Sequence, residues 1–197
     1  MKKKNTLAVW ALLGILLVSL SGCSSALDEQ NKTTIEVKKD GTIASVIVES
    51  FDKDYYQQEE LQNMILQEAV NYNKNHASDS IAVEKVEVKK QQAVVVMQYA
   101  AAEDYMAYNH KPLFVGTVSG AIAAGYSLEG TLHEAADETK TITGTELSAM
   151  GDKQIVIVTE PLQVKVYAPI TYLSEGAVLV NKKMASVSEE KMAYIVF

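Results

Sequence analysis

The sequence predicts an α+β domain: an antiparallel β-sheet with one main amphipathic helix packed on a face, plus short helices and additional C-terminal strands. Three stretches carry this prediction. Apolar and polar residues alternate over residues 34–50 and again over 81–99, and between them apolar residues recur at helical spacing. A helix flanked by two hairpins buries its apolar stripe by lying across the sheet that the hairpins form.

Taken in order, Ile35 and Val37 alternate with Glu36 and Lys38. Asp40-Gly41 is a dipeptide favoured in two-residue hairpin turns, and residues 42–50 return with Ile43, Val46, Ile47 and Val48. A helix follows. Asp54, with Gln57 three residues on, approximates a capping box, and Glu59 and Glu60 suit the positive end of the helix dipole. Leu61, Met64, Ile65, Ala69 and Tyr72 make one apolar face, which Leu66 and Val70 widen; Lys74, Asn75 and His76 suit the far end. Residues 81–89 and 93–99 read as a second hairpin around Lys90-Gln91-Gln92. In its first strand Ile81 and Val83 keep one phase while Val86 and Val88 keep the other, and a bulge near Glu84 reconciles them.

Residues 101–109 read as a short helix with Glu103 and Asp104 in its first turn, and Pro112 forbids its continuation. The stretch 113–126 is apolar and interrupted by Gly116, Gly120 and Gly125. It is shorter than the roughly 20 residues a membrane-spanning helix needs. It reads as a buried strand or loop entering a short helix from about Val118 to Ala124. Residues 131–143 are polar and threonine-rich, as in an exposed hairpin or loop. Thr143 and Glu146 have capping-box spacing for a brief helical turn that Gly151 ends. Short strands at 155–158, 162–167, 170–173, 178–180, 184–187 and 192–197 finish the chain.

The first 23 residues are of another kind. Lys2-Lys3-Lys4 leads into an apolar run over residues 7–18, which ends at Leu20-Ser21-Gly22-Cys23 with the chain's only cysteine. Such a run is a signal-peptide core rather than a membrane span. Leu20, Ser21, Gly22 and Cys23 resemble the lipobox of bacterial lipoprotein precursors at all four positions. The resemblance implies that Leu20, Ser21 and Gly22 direct signal-peptidase cleavage and that Cys23 carries a diacylglyceryl thioether. It also implies a protein anchored on the extracytoplasmic face of the cell membrane. A conventionally secreted protein cleaved nearby would instead leave Cys23 as a lone exposed thiol, which an oxidising compartment disfavours. In overall look the mature chain is similar to small uncharacterised lipoproteins of clostridial-type bacteria, a likeness that brings no activity or site residue with it.

The expected organisation is a signal peptide at 1–22, a flexible tether at 23–32 and a single α+β domain at 33–197. The place for a subdomain boundary is near residue 113, though no linker-like composition marks it. Removing residues 1–22 takes three of the 18 basic residues and none of the 25 acidic ones, leaving a formal charge of −10. Every basic residue is lysine, so the bidentate grip of arginine on phosphate is missing. With the acidic balance, this argues against nucleic-acid binding and against a basic patch docking on anionic lipid.

No catalytic pattern is complete. Gly120 and Gly125 have phosphate-loop spacing, but Tyr126-Ser127 stands where Lys followed by Ser or Thr is needed. Ser119 lies between glycines without the Gly-x-Ser-x-Gly spacing of a nucleophile elbow. His133-Glu134-Ala135-Ala136-Asp137 resembles a zinc-protease signature only superficially, since its surroundings do not favour the helix that would bring two ligands to one face. No metal site is expected, and no cofactor beyond the covalent lipid on Cys23. Tyr99, Tyr105, Tyr108 and Tyr126 flank the glycine-rich segment and form the candidate ligand-binding set, a groove for a glycan or peptide. The expected function is that of a non-catalytic module, held to membrane lipid by its anchor, that binds an envelope protein, peptide or glycan. Two rival readings are a solute-capturing accessory subunit of a transporter and an extracytoplasmic hydrolase using dispersed acids.

Overall fold

The computed structural model describes residues 31–77, 79–188 and 191–197. The leader, the expected lipidation site Cys23 and most of the tether lie outside the described residues. In chain order the elements are β1 (Thr34–Val37), β2 (Ile43–Ser50), α1 (Gln58–Asn75), β3 (Ile81–Lys89), β4 (Gln92–Tyr99), α2 (Ala102–Asn109), β5 (Leu113–Thr117), α3 (Val118–Ala123), β6 (Thr131–Glu134), β7 (Asp137–Thr143), α4 (Gly144–Ser148), β8 (Gln154–Val158), β9 (Gln163–Val166), β10 (Tyr172–Ser174), β11 (Ala177–Asn181), β12 (Met184–Val187) and β13 (Ala193–Val196).

These strands build two sheets. The larger runs β11-β12-β9-β1-β2-β4-β3, and the smaller runs β5-β8-β13-β10-β6-β7. Pairing is antiparallel throughout except that β1 lies parallel to β9, with Thr34 opposite Gln163. Ile35, Val37 and Ile43 of the larger sheet share one core with Val156, Val158, Leu173 and Ile195 of the smaller. The two sheets therefore pack face to face. The other face of the smaller sheet, with Ile155, Ile157 and Val196, is closed by Val118 and Ala121 of α3 and Leu147 of α4.

The α+β expectation with one main helix is corrected: the fold is mostly β, with 43% of described residues in strands and 23% in helices. The reason is one of width. Seven strands span roughly 29 Å, whereas a helix covers about 10 Å, or two strands. Helix α1 accordingly packs over the β3–β4 end, and much of the remaining inner face is covered by the second sheet. Only Ile65 and Ala69 of α1 are buried, with Leu61 and Tyr72 packed against the core from the side. Met64, Leu66 and Val70 are exposed. The capping box expected from Asp54 and Gln57 also fails, since the helix starts at Gln58 and Gln57 occupies the cap position without a side-chain hydrogen bond.

Local chemistry is followed more closely elsewhere. The bulge sits at Glu84, where the β3–β4 register shifts between Val83 and Lys85. The turn of that hairpin is Lys90-Gln91, both with positive φ (49° and 62°), which matches the strand twist despite the absence of glycine. The first hairpin turns over Lys38 to Gly41, longer than the two-residue turn the dipeptide suggested: the Gly41 N–H donates to the Lys38 carbonyl, and Gly41 takes φ 89°. At α4 the capping box forms in both directions, with the Glu146 N–H donating to Thr143 Oγ1 and the Thr143 N–H to Glu146 Oε2.

Several surface carboxylates act as acceptors in these turns. Asp40 is held below its ordinary value by the Thr42 hydroxyl and N–H, Asp137 by those of Thr139, and Glu146 by the Thr143 N–H and hydroxyl. Glu87 is lowered by Lys89 and Lys85. A carboxylate with a lowered native pKa contributes stability that is present above its unfolded value and lost as pH falls through the native value. The urea midpoint is therefore expected to fall as pH drops from about 5 to 3, and the fall is expected to be shallower in an Asp40→Asn/Asp137→Asn/Glu146→Gln variant. Identical pH profiles would refute this account.

Candidate functional site

The connection between β2 and α1 starts the site. Phe51 extends the β2–β4 ladder by one hydrogen bond, its N–H donating to the Gln91 carbonyl at 2.7 Å; the chain then turns, with the Tyr56 N–H donating to the Lys53 carbonyl at 3.0 Å. This turn gathers three rings. The Phe51 and Tyr56 centroids lie 4.9 Å apart, and Tyr55 stands edge-on to Tyr56 at 4.9 Å. Tyr55 is 73% exposed and Tyr56 41%.

From these rings a groove follows the flank of α1. Its near section, of about 480 Å³, lies between Phe51, Tyr55 and Tyr56 on one side and Leu61 and Met64 on the other. A narrower middle section of about 210 Å³ has Ile47, Ala93, Val95 and Met97 as its sheet wall and ends at Tyr108. The far section, about 470 Å³, is lined by Tyr72, His76, Tyr108 and His110. Adjacent sections share lining residues: Glu49, Leu61, Met64 and Ala93 at the first junction, Glu68 and Tyr108 at the second. The small Ala93 side chain contributes to the room beneath Leu61 and Met64. Three carboxylates, Glu49, Glu60 and Glu68, stand along the lining, and among the described lining residues there is no lysine.

The far end is held by polar contacts. The Tyr72 hydroxyl donates to Asp104 at 3.0 Å, fixing α1 against α2, and the His76 ring stacks on Tyr72 at 3.9 Å. Tyr108 meets Tyr72 edge-on at 5.9 Å. Partial burial, with Glu68 and Tyr99 nearby, pushes Tyr108 up to about 12. Tyr72 is raised likewise, by burial and then by Asp104. Both rings therefore present neutral phenols at ordinary pH.

Three of the four tyrosines expected to line a site come together. Tyr99 and Tyr105 meet edge-on at 5.2 Å, and Tyr99 and Tyr108 lie 6.2 Å apart. Only Tyr108 reaches the groove. Tyr99 and Tyr105 are buried beneath it as structural residues: Asn109 Nδ2 donates to the Tyr99 hydroxyl, and the Tyr105 hydroxyl donates to Glu160 at 2.9 Å. Burial, and then the Glu160 charge, raise Tyr105 strongly. Tyr126 is elsewhere, packed on Phe114 at 5.2 Å on the helix-covered face of the smaller sheet.

The sequence reading missed Phe51, Tyr55, Tyr56 and Tyr72 as groove residues. A signal for the first three was present in Phe51-Asp52-Lys53-Asp54-Tyr55-Tyr56, where large rings crowd a polar connector that has no core of its own to fill. His133 and Glu134 lie on β6, with Asp137 opposite Glu134 across the turn and Lys140 near both carboxylates. They form a β-hairpin rather than a helical metal face, and no cluster of metal-ligating side chains occurs among the described residues. What the groove offers chemically is stacking faces, phenol donors and carboxylate acceptors. Compared with protein families, with curated proteins and with solved structures, the chain gives no match.

Proposed function

We propose that the protein is a lipid-anchored, extracytoplasmic binding module that holds an extended, lysine- or arginine-bearing segment of an envelope partner in the groove along α1. The observation that carries this reading is the groove's lining: aromatic and aliphatic walls, with Glu49, Glu60 and Glu68 along them and no lysine among the described lining residues. An 18-residue helix is about 27 Å long, and a flanking groove of that length takes roughly eight residues of extended chain. Alternate side chains of such a segment would enter the apolar floor while cationic ones met the rim. The trough is open along its length, which suits an extended segment better than an enclosed solute. Anchorage rests on the lipobox resemblance at Leu20, Ser21, Gly22 and Cys23.

Calorimetry on the mature lipoprotein tests the reading with two decapeptides, one alternating lysine with valine and the other glutamate with valine. The lysine peptide is expected to bind and the glutamate peptide not. Glu49→Gln/Glu60→Gln/Glu68→Gln is expected to weaken binding about tenfold, at roughly 0.5 kcal/mol per exposed charge. Equal binding of both peptides, or indifference to the triple substitution, would remove the basis for the proposal.

A further inference from the structure

Phe51, Tyr55 and Tyr56 all line the near section of the groove, yet Tyr55 still presents most of its surface to solvent, with Tyr56 exposed beside it. Where this cluster sits relative to the tether gives it a second role. Thr33 is fixed against β2, its hydroxyl accepting from the Val48 N–H at 3.1 Å. Asn31, Lys32 and Thr33 line one cleft together with Glu49 and Ser50, and Phe51 follows directly. The chain thus enters the domain beside the loop that bears the rings, at the open end of the β1–β2 hairpin. The turn of that hairpin, at Lys38 to Gly41, lies at the opposite end.

We infer that Phe51, Tyr55 and Tyr56 form a second membrane contact, docking into the headgroup region of the bilayer that carries the anchor. The inference rests on the reading that Cys23 is lipidated. Seven residues lie between Cys23 and Asn31, so over eight backbone steps the entry point cannot lie more than about 28 Å from the backbone of the lipid-bearing residue. Over that reach the ring cluster meets the bilayer at high effective concentration, and a weak contact is enough. Tyrosine suits the task because its ring is apolar and its hydroxyl keeps a polar partner at headgroup level. Glu49, Asp52, Asp54, Glu59 and Glu60 outnumber Lys32 and Lys53 around the rings, which makes the preferred surface zwitterionic rather than anionic. Docked in this way, the near end of the groove rests at the membrane and the far end, at Tyr72 and Tyr108, points away from it.

The mature chain supplies its own silent background for the test, since the only tryptophan, Trp10, belongs to the expected leader. Tyr55→Trp and, as a control at the other end of the hairpin, Lys39→Trp are each prepared as the natural lipoprotein in phosphatidylcholine vesicles. Flotation is read first. Emission is then compared in ordinary vesicles and in vesicles of acyl-brominated phosphatidylcholine. Tyr55→Trp is expected to be blue-shifted and to lose about half its emission to bromine, as fits a ring a few ångströms into the interface. Lys39→Trp is expected to be unaffected, and added anionic lipid is expected to reduce the Tyr55→Trp signal. Protein that floats while Tyr55→Trp stays unquenched overturns the docking and leaves the anchor standing. Protein that does not float overturns the anchor, and the docking with it.

Discussion

Gly144→Ala is expected to cost about 3 kcal/mol or more, lowering the thermal midpoint by roughly 6–12 °C. Gly144 opens α4, and its N–H donates to the Gly130 carbonyl at 3.0 Å. A Cβ at this position would overlap the Leu128 carbonyl oxygen, with the carbonyl carbon 2.7 Å away and Glu129 Cα 3.3 Å away. Every obstacle is backbone, so no side chain can swing aside. Leu128 and Leu147, one on either side of the contact, are both buried in the same core cluster, which resists movement of the backbone at either point. Gly176→Ala is the matched comparison: Gly176 has φ +85° but nothing within 4 Å of the added carbon. Conformational strain alone costs about 1–2 kcal/mol there. Thermal denaturation followed by circular dichroism checks both variants, and equal losses would refute the steric argument.

Ile195→Ala is expected to cost about 3–4 kcal/mol, read as a lower urea midpoint. Ile195 is fully buried on β13, opposite Val156 of β8 and Leu173 of β10, and faces the core shared by the two sheets. The cavity would open between the sheets rather than beneath a helix. Both sheets lose contacts, so probes in each are expected to report one shifted transition. A tryptophan at Lys39 reports the larger sheet and one at Glu138, on β7, the smaller. Separate midpoints for the two probes would mean that the sheets do not share a cooperative core.

Much of the local structure was legible because its causes are local. The bulge at Glu84 follows from two apolar phases colliding within one strand, and α4 follows from Thr143 and Glu146 satisfying each other's backbone. The helix over residues 58–75 was legible in kind and at its far end, but neither in its start, which the Asp54 cap placed too early, nor in its depth. Leu66 and Val70 satisfy helical periodicity as well as Ile65 and Ala69 do, and only the position of the sheet decides which pair is buried. Sheet assembly was the least legible. Nothing near Ile35 specifies Val164 as its neighbour, and nothing near Ala193 specifies Val158. A β-strand's alternation says that one face is buried without saying against what. The groove shares that limit: Tyr108 was anticipated from its own neighbourhood, whereas Phe51 and Tyr72 become groove residues only through the packing of α1 on the sheet.

The parallel pairing of β1 with β9 has a consequence for how the chain is made. Thr34 waits for Gln163, 129 positions later. Until that segment has been made, one side of β1 is a bare template of amide and carbonyl groups at the edge of a half-built sheet. Contacts this distant in sequence slow folding, and an open template invites pairing with the wrong strand. Synthesis of this protein therefore includes an interval in which a nascent edge stands unpaired, and the arrival of residues 163–166 ends it.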